Sequence, residues 1–139
     1  MGCALVTGAG QRLGAAMACY LGTRGYDVAV HFAHSSEGAD AVVREISAMG
    51  QKAIALQADL LDESATAALF EQAVAALDGP ITCLVNNASI FEYDTIKTAT
   101  RASWDRHIGS NLRAPFVLTQ AMVAQGLEPL SDPSGEPVA

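Results

Sequence analysis

Short apolar runs alternate with amphipathic stretches along this chain. Cys3–Thr7 (CALVT) is apolar without a period, as a strand buried on both faces would be. Leu13–Arg24 then places Leu13, Met17 and Leu21 at helical spacing, and Gly25 closes the run. Asp27–Phe32 predicts a second strand. Glu37–Met49 predicts a helix with Val42, Val43, Ile46 and Met49 on one face and Gly50 past its end. Ala53–Gln57 predicts a third strand. Asp62 is placed to cap a helix that runs to Leu77 on an apolar face of Leu69, Phe70, Val74 and Leu77. Gly79-Pro80 stops it, and Ile81–Asn86 predicts a fourth strand. A loop with Phe91 and Tyr93 leads to a long helical stretch from about Ser103 to Gln125.

Strand and helix in alternation predict an α/β fold, a doubly wound parallel sheet with right-handed crossovers. Residues 1–125 read as one such unit, with no internal boundary or repeat. Residues 126–139 hold three of the five prolines and no period, and read as a loop or tail.

Composition narrows the picture. Of the 139 residues half are hydrophobic and 17% charged, which is globular rather than disordered. The net charge is −7, and the eight basic residues are scattered, so no stripe for a nucleic-acid backbone is expected. No apolar run approaches the roughly 20 residues needed to cross a bilayer. The start of the chain shows no signal peptide pattern, and the three cysteines fit no metal or redox spacing. A cytoplasmic protein with reduced thiols and no metal is the expectation.

The chemistry-bearing residues cluster where strands give way to helices. Thr7-Gly8-Ala9-Gly10-Gln11-Arg12-Leu13-Gly14 joins the first strand to the first helix. Glycines there permit a sharp turn and close approach of a pyrophosphate, and the helix start supplies free N–H groups. Asn86-Asn87-Ala88-Ser89 leaves the fourth strand on the side where open α/β sheets bind ligands. In the long helix Asn111 stands beside Trp104, Ile108 and Leu112, where an apolar residue is the default. Pro115, four residues later, has no N–H for the Asn111 carbonyl, so a bend is expected there.

The turn resembles that of the short-chain dehydrogenase/reductase family, T-G-x-x-x-G-x-G, with Arg12 in place of the middle glycine. That replacement is similar to the pteridine-reductase branch, as is Asn86-Asn87-Ala88-Ser89 followed by Phe91. The resemblance covers residues 3–125 and implies a Rossmann fold that binds a nicotinamide dinucleotide. Gly8, Gln11, Arg12, Leu13 and Gly14 would then bind the cofactor, with Arg12 and His34 adding positive charge for a 2′-phosphate. NAD-binding units carry an acid at the end of the second strand. Here His31-Phe32-Ala33-His34-Ser35-Ser36 has none, so NADP(H) is the expected cofactor, with His31, His34 and Ser35 near its 2′-phosphate. By the resemblance Asp59 and Leu60 meet the adenine, Asn86, Ala88 and Ser89 bind the cofactor, and Phe91 stacks on a pterin-like substrate. Asn111 would hold a water of the proton relay through its backbone carbonyl.

The implied reaction is hydride transfer from NADPH to a small molecule, a pterin or dihydrofolate-like ring. A carbonyl or 3-oxoacyl reductase and a non-catalytic nucleotide-binding fragment are the alternatives. The family's Tyr-x-x-x-Lys pair occurs once in spacing, at Tyr93 and Lys97, which lies too early in chain order to serve. Family members run to about 250 residues. The chain is therefore read as truncated after the fourth strand and its following helix, inactive alone, with a second chain or further sequence supplying the rest. A complete protein of this kind is expected to be a homo-oligomer.

Overall fold

The computed structural model describes residues 2–128. The proposed tail at 126–139 falls almost wholly outside them. Ten elements follow in order, of which four are strands. Strand β1 (Cys3–Val6) leads to helix α1 (Arg12–Thr23), β2 (Asp27–Phe32) to α2 (Ser36–Ala48), and β3 (Ala53–Gln57) to α3 (Glu63–Leu77). Strand β4 (Ile81–Val85) is followed by loop 86–100, then α4 (Arg101–Ile108), a π-helical turn (Gly109–Arg113) and α5 (Ala114–Ala124).

The strands are all parallel, in the order β3-β2-β1-β4. The chain winds outward from β1 to β3 and then crosses to the other side of β1. The direction of winding reverses between β1 and β4, which opens a crevice at their carboxyl ends.

Residue alternation along the strands explains the two-sided core. Val6, Val28 and Val30 pack with Ala18 of α1 and with Ala39, Val42 and Ile46 of α2. Cys3, Leu5, Ala29 and Ile81 pack on the opposite face with Leu69, Phe70, Ala73 and Leu77 of α3 and with Ala114 and Leu118 of α5. The sheet is doubly wound, as the alternating pattern predicts. The three cysteines are free thiols. No helix among the described residues is long and apolar enough to cross a membrane.

Two helices present faces that hydropathy spacing misjudges. The buried residues of α1 are Gly14, Ala18 and Gly22, not Leu13, which is 67% exposed. Small residues let α1 lie close against the sheet and the β1 turn. The long helix buries Ser103, Ser110, Ala114 and Leu118, while Trp104 and Leu112 point outward. The stripe beside Asn111 is therefore a surface stripe. The helix also begins earlier than Ser103, because Thr100 forms a reciprocal capping box with Ser103.

Pro115 has the expected consequence in an unexpected form. Instead of a simple bend, the backbone widens into the π-helical turn, where the Ala114 N–H donates to the Gly109 carbonyl five residues back.

Candidate functional site

A cleft of about 570 Å³ opens at the carboxyl ends of the strands. Four segments line it together with Ser110: the β1–α1 turn from Gly8 to Gly14, the β2 end from His31 to Ser35, Asp59–Leu61 after β3, and Asn87–Ile90 after β4. These segments are at least fifteen residues apart in sequence. The reversal of winding brings them together.

The turn is held from several sides. Gly8 has φ +62°, a conformation that favours glycine. Its N–H donates to His31 Nδ1 at 3.0 Å. Because Nδ1 accepts, Nε2 carries the proton and donates to the Ala58 carbonyl at 3.1 Å. The Ala9 N–H also donates to the His31 carbonyl, at 2.8 Å. On the other flank, Asn87 Nδ2 donates to the carbonyls of Thr7 (2.9 Å) and Gly8 (3.1 Å). The Thr7 hydroxyl accepts from the N–H groups of Asn87 and Ala88, each at 3.0 Å. A Cβ on Gly14 would collide with the Gly8 carbonyl oxygen and Asn87 Nδ2, so glycine is required where α1 meets the turn. Gly38 is required in the same way, since a Cβ there would collide with the Gly10 carbonyl.

Helix starts decide the electrostatics of the cleft. Asp62 caps α3 by accepting the Ala65 N–H, and Thr100 caps α4. The N-cap residues of α1 and α2, Gln11 and Ser35, make no side-chain cap. The first turn of α1 holds no acid, and that of α2 holds Glu37 alone. Both uncapped ends border the cleft. Free N–H groups and the positive end of the helix dipole there favour a phosphate.

The structure gathers most of the sequence-predicted residues and sets three apart. Gly8, Gln11, Arg12, Leu13, Gly14, His34, Ser35, Asp59, Leu60, Ala88 and Ser89 all line the cleft. Arg12 takes φ +50°, a left-handed conformation for a non-glycine residue, at the first residue of α1. The Asp59 carboxylate accepts the Leu61 N–H at 2.9 Å, fixing the turn after β3. His31 also borders the cleft, but its side chain is a correction to the sequence reading. It is 1% exposed and both ring nitrogens are bonded within the protein, so it braces the turn and offers no polar atom to a phosphate. Burial pushes its pKa below the usual imidazole range, against a smaller opposing effect of the bond to Ala58.

Asn86, Phe91 and Asn111 do not line the cleft. Asn86 is exposed and reaches toward Thr119 Oγ1, at 3.5 Å. Phe91 is 84% exposed in loop 86–100. The Asn111 side chain takes the Ile90 N–H and donates to the Ile90 carbonyl, both at 2.9 Å. Neighbouring Ser110 lines the cleft instead. Sequence reasoning placed Thr7 and Asn87 in the two motifs without giving either a separate role, and passed over Gly38. Asn87 carried a signal in its place directly after an apolar strand, but which of two adjacent asparagines turns inward depends on the chain's exit from β4.

The sequence model for short chain dehydrogenases matches residues 2–135. The chain belongs to this family. It is 43% identical to versicolorin reductase 1 of Aspergillus parasiticus over 117 residues, which are 84% of this chain and 44% of that protein. Among solved structures it is similar to a blue fluorescent protein from a metagenomic library in complex with NADPH. The TM-score is 0.85 and the identity 38%, over 92% of this chain and 51% of the other. It is also similar to the FolM alternative dihydrofolate reductase 1 of Brucella suis in complex with NADP. There the TM-score is 0.84 and the identity 36%, over 94% of this chain and 53% of the other. The short-chain dehydrogenase chain thus spans about half the length of the proteins it matches.

Proposed function

We propose that this chain is the NADP(H)-binding part of a reductase. The observation that carries the reading is the pair of uncapped helix starts, α1 and α2, on one cleft, with no acid between His31 and Ser36. An aspartate at the end of β2 would repel a 2′-phosphate. The glycines at 8 and 14 let the turn, α1 and the end of β4 close up on one another, which shapes the bend at which a pyrophosphate would sit. The NADP and NADPH complexes of its structural relatives support the same choice.

In this reading the N–H groups at the start of α1 and the Arg12 guanidinium hold the pyrophosphate. Ser35 and His34, with the start of α2, hold the 2′-phosphate. Asp59 and Leu60 border the adenine, and Ala88 and Ser89 the nicotinamide side. When bound, the cofactor supplies the hydride. Asn87 and His31 act through the turn, keeping its peptide groups in place so that none must reorganise on binding. Asn111 ties the loop after β4 to the helix. Its backbone carbonyl, which Pro115 cannot serve, is the group proposed to hold a water for proton delivery.

For the acceptor we propose a planar ring of the pterin or dihydrofolate kind. Arg12, Ser89 and Phe91 support it, together with the dihydrofolate reductase among the relatives. The proton-donating Tyr-x-x-x-Lys pair of the family has no counterpart in these residues at the right chain position, so the 139 residues alone are proposed to bind the cofactor without turnover.

Calorimetric titration tests the cofactor. NADPH is expected to bind at least tenfold more tightly than NADH, and equal affinity would overturn the assignment. NADPH oxidation with a dihydropterin and with a simple ketone tests the acceptor in the protein that carries the catalytic pair. Reduction of the ketone alone would remove the pterin reading.

A further inference from the structure

Asp59, Leu60 and Leu61 form the part of the cleft wall that lies between β3 and α3. Leu60 is buried in the core, but Leu61 is 38% exposed. Leu61 also borders a second cavity, of about 400 Å³, which it shares with Glu63, residues of α4 and the π-helical turn. It thus stands between two hollows, where packing alone gives the backbone little support.

Hydrogen bonds supply that support. The peptide group between Leu60 and Leu61 is held at both ends. Its N–H donates to Asp59 Oδ1 at 2.9 Å. Its carbonyl oxygen accepts from Arg113 Nη2 at 3.1 Å and from the Thr66 hydroxyl at 3.3 Å. The same Arg113 nitrogen reaches the next carbonyl, that of Leu61, at 3.3 Å. A trans peptide is planar, and its N–H and C=O point opposite ways. Fixing the carbonyl therefore fixes the N–H, and the N–H in turn orients the Asp59 carboxylate beside the cleft.

Arg113 comes from far along the chain to do this. It is the last residue of the π-helical turn, whose Ser110 lines the cleft and whose Gly109 lies so close to Leu61 that a Cβ there would stand 3.2 Å from Leu61 Cδ2. The Arg113 side chain is only 25% exposed. Its ion pair with Glu63 is long, 3.6 Å, and Glu63 is 78% exposed, so that pair contributes little. The bonds to the two carbonyls are shorter, and a charged donor strengthens them.

We infer that Arg113 is a positioning residue for the adenine end of the cofactor: through the Leu60–Leu61 peptide it sets the direction of the Asp59 carboxylate. The inference rests on the NADP(H) reading above, in which Asp59 and Leu60 border the adenine. A carboxylate aimed in advance needs no ordering when the base arrives.

The test compares NADPH with its hypoxanthine analogue, which carries an oxygen where adenine has its amino group. A carboxylate accepts a bond from the amino group and repels the oxygen, so the unsubstituted chain should bind NADPH more tightly. Arg113→Met keeps an unbranched stem and removes the donors. Calorimetric titration should show NADPH affinity lowered about five- to tenfold and affinity for the analogue lowered less than about twofold. Arg113→Lys, with a donor for one carbonyl, should recover part of the loss. Adding Arg113→Met to Asp59→Ala should cost less than about twofold more, because the two act through one group. Glu63→Gln removes the ion pair alone and should leave both affinities unchanged. An equal loss for both dinucleotides in Arg113→Met, or the same loss in Glu63→Gln, would overturn the positioning role. Hydrogen exchange at the Leu61 amide, measured without cofactor, reads the grip itself. Exchange should accelerate in Arg113→Met, and an unchanged rate would overturn the grip. An unsubstituted chain that bound NADPH without preferring it to the analogue would take Asp59 away from the adenine and overturn the positioning role. No binding of NADPH at all would overturn the cofactor reading and the positioning role with it, and the exchange measurement would still decide whether Arg113 holds the peptide.

Discussion

His31 Nδ1 accepts the backbone N–H of Gly8 at 3.0 Å, and the ring that makes this bond is 1% exposed. The bond requires a neutral imidazole. Burial lowers the His31 pKa in the fold, so over the range just below the ordinary value of about 6.5 the unfolded chain binds a proton that the folded chain refuses. The stabilisation is full above that value and is lost as pH falls through and below it. Thermal denaturation from pH 7.5 to 5.5 should show a steeper loss of stability for the natural chain than for His31→Gln. The variant should be less stable at pH 7.5 by roughly 1–3 kcal/mol, the cost of a buried polar group left poorly paired. Parallel pH profiles would contradict the assignment.

Asn87 joins β4 to the phosphate turn through the carbonyls of Thr7 and Gly8. Asn87→Ala removes both bonds, for a loss of about 1–3 kcal/mol in stability. NADPH affinity should fall by more than that of Asn86→Ala, because Asn86 is exposed and reaches only toward Thr119. Denaturant titration and calorimetry on the two variants check the ranking.

Gly14 has no room for a methyl group, since Gly8 and Asn87 already occupy the space. Gly14→Ala should push α1 away from the turn, weaken NADPH binding at least tenfold and lower the melting temperature. Gly50→Ala is the control. Its φ of +88° strains any side chain, but open space surrounds it, so the loss should stay near 1 kcal/mol with cofactor affinity unchanged.

Ser35 lies in the acid-free segment after β2 and is the N-cap residue of α2, with no side-chain cap bond. Ser35→Asp introduces the charge that a 2′-phosphate cannot tolerate. NADPH affinity should drop at least tenfold while NADH affinity holds or rises. A variant that still prefers NADPH would shift the phosphate site away from α2.

Asn111 and Ile90 share two bonds of 2.9 Å across the mouth of the loop. Asn111→Asp keeps the acceptor for the Ile90 N–H but sets an oxygen against the Ile90 carbonyl. Hydrogen exchange at the Ile90 amide should accelerate, and more so for Asn111→Ala, which loses both bonds.

Much of this was legible in the sequence. Four apolar runs and four helical periods determined a doubly wound parallel sheet, because burial on both faces leaves no other stable layering for such runs. The turn from Thr7 to Gly14 and the acid-free end of β2 marked the cleft, since their chemistry is local: glycine permits a conformation, and a missing carboxylate permits a phosphate. The rest depended on distance in space. The sequence suggested His31 as a ligand, and only the place of β2 between β1 and β3 shows its ring enclosed between Gly8 and Ala58. Hydropathy put Leu13 in the core, while the close approach of α1 gave that place to Gly14, Ala18 and Gly22. No local pattern announced that Asn87 rather than Asn86 would face the turn, or that Pro115 would be absorbed by a π-helical turn. Propensity and periodicity act over a few residues. Which side chain meets which backbone group, across 23 residues for His31 and Gly8 or 79 for Asn87 and Gly8, is settled only when the sheet is assembled.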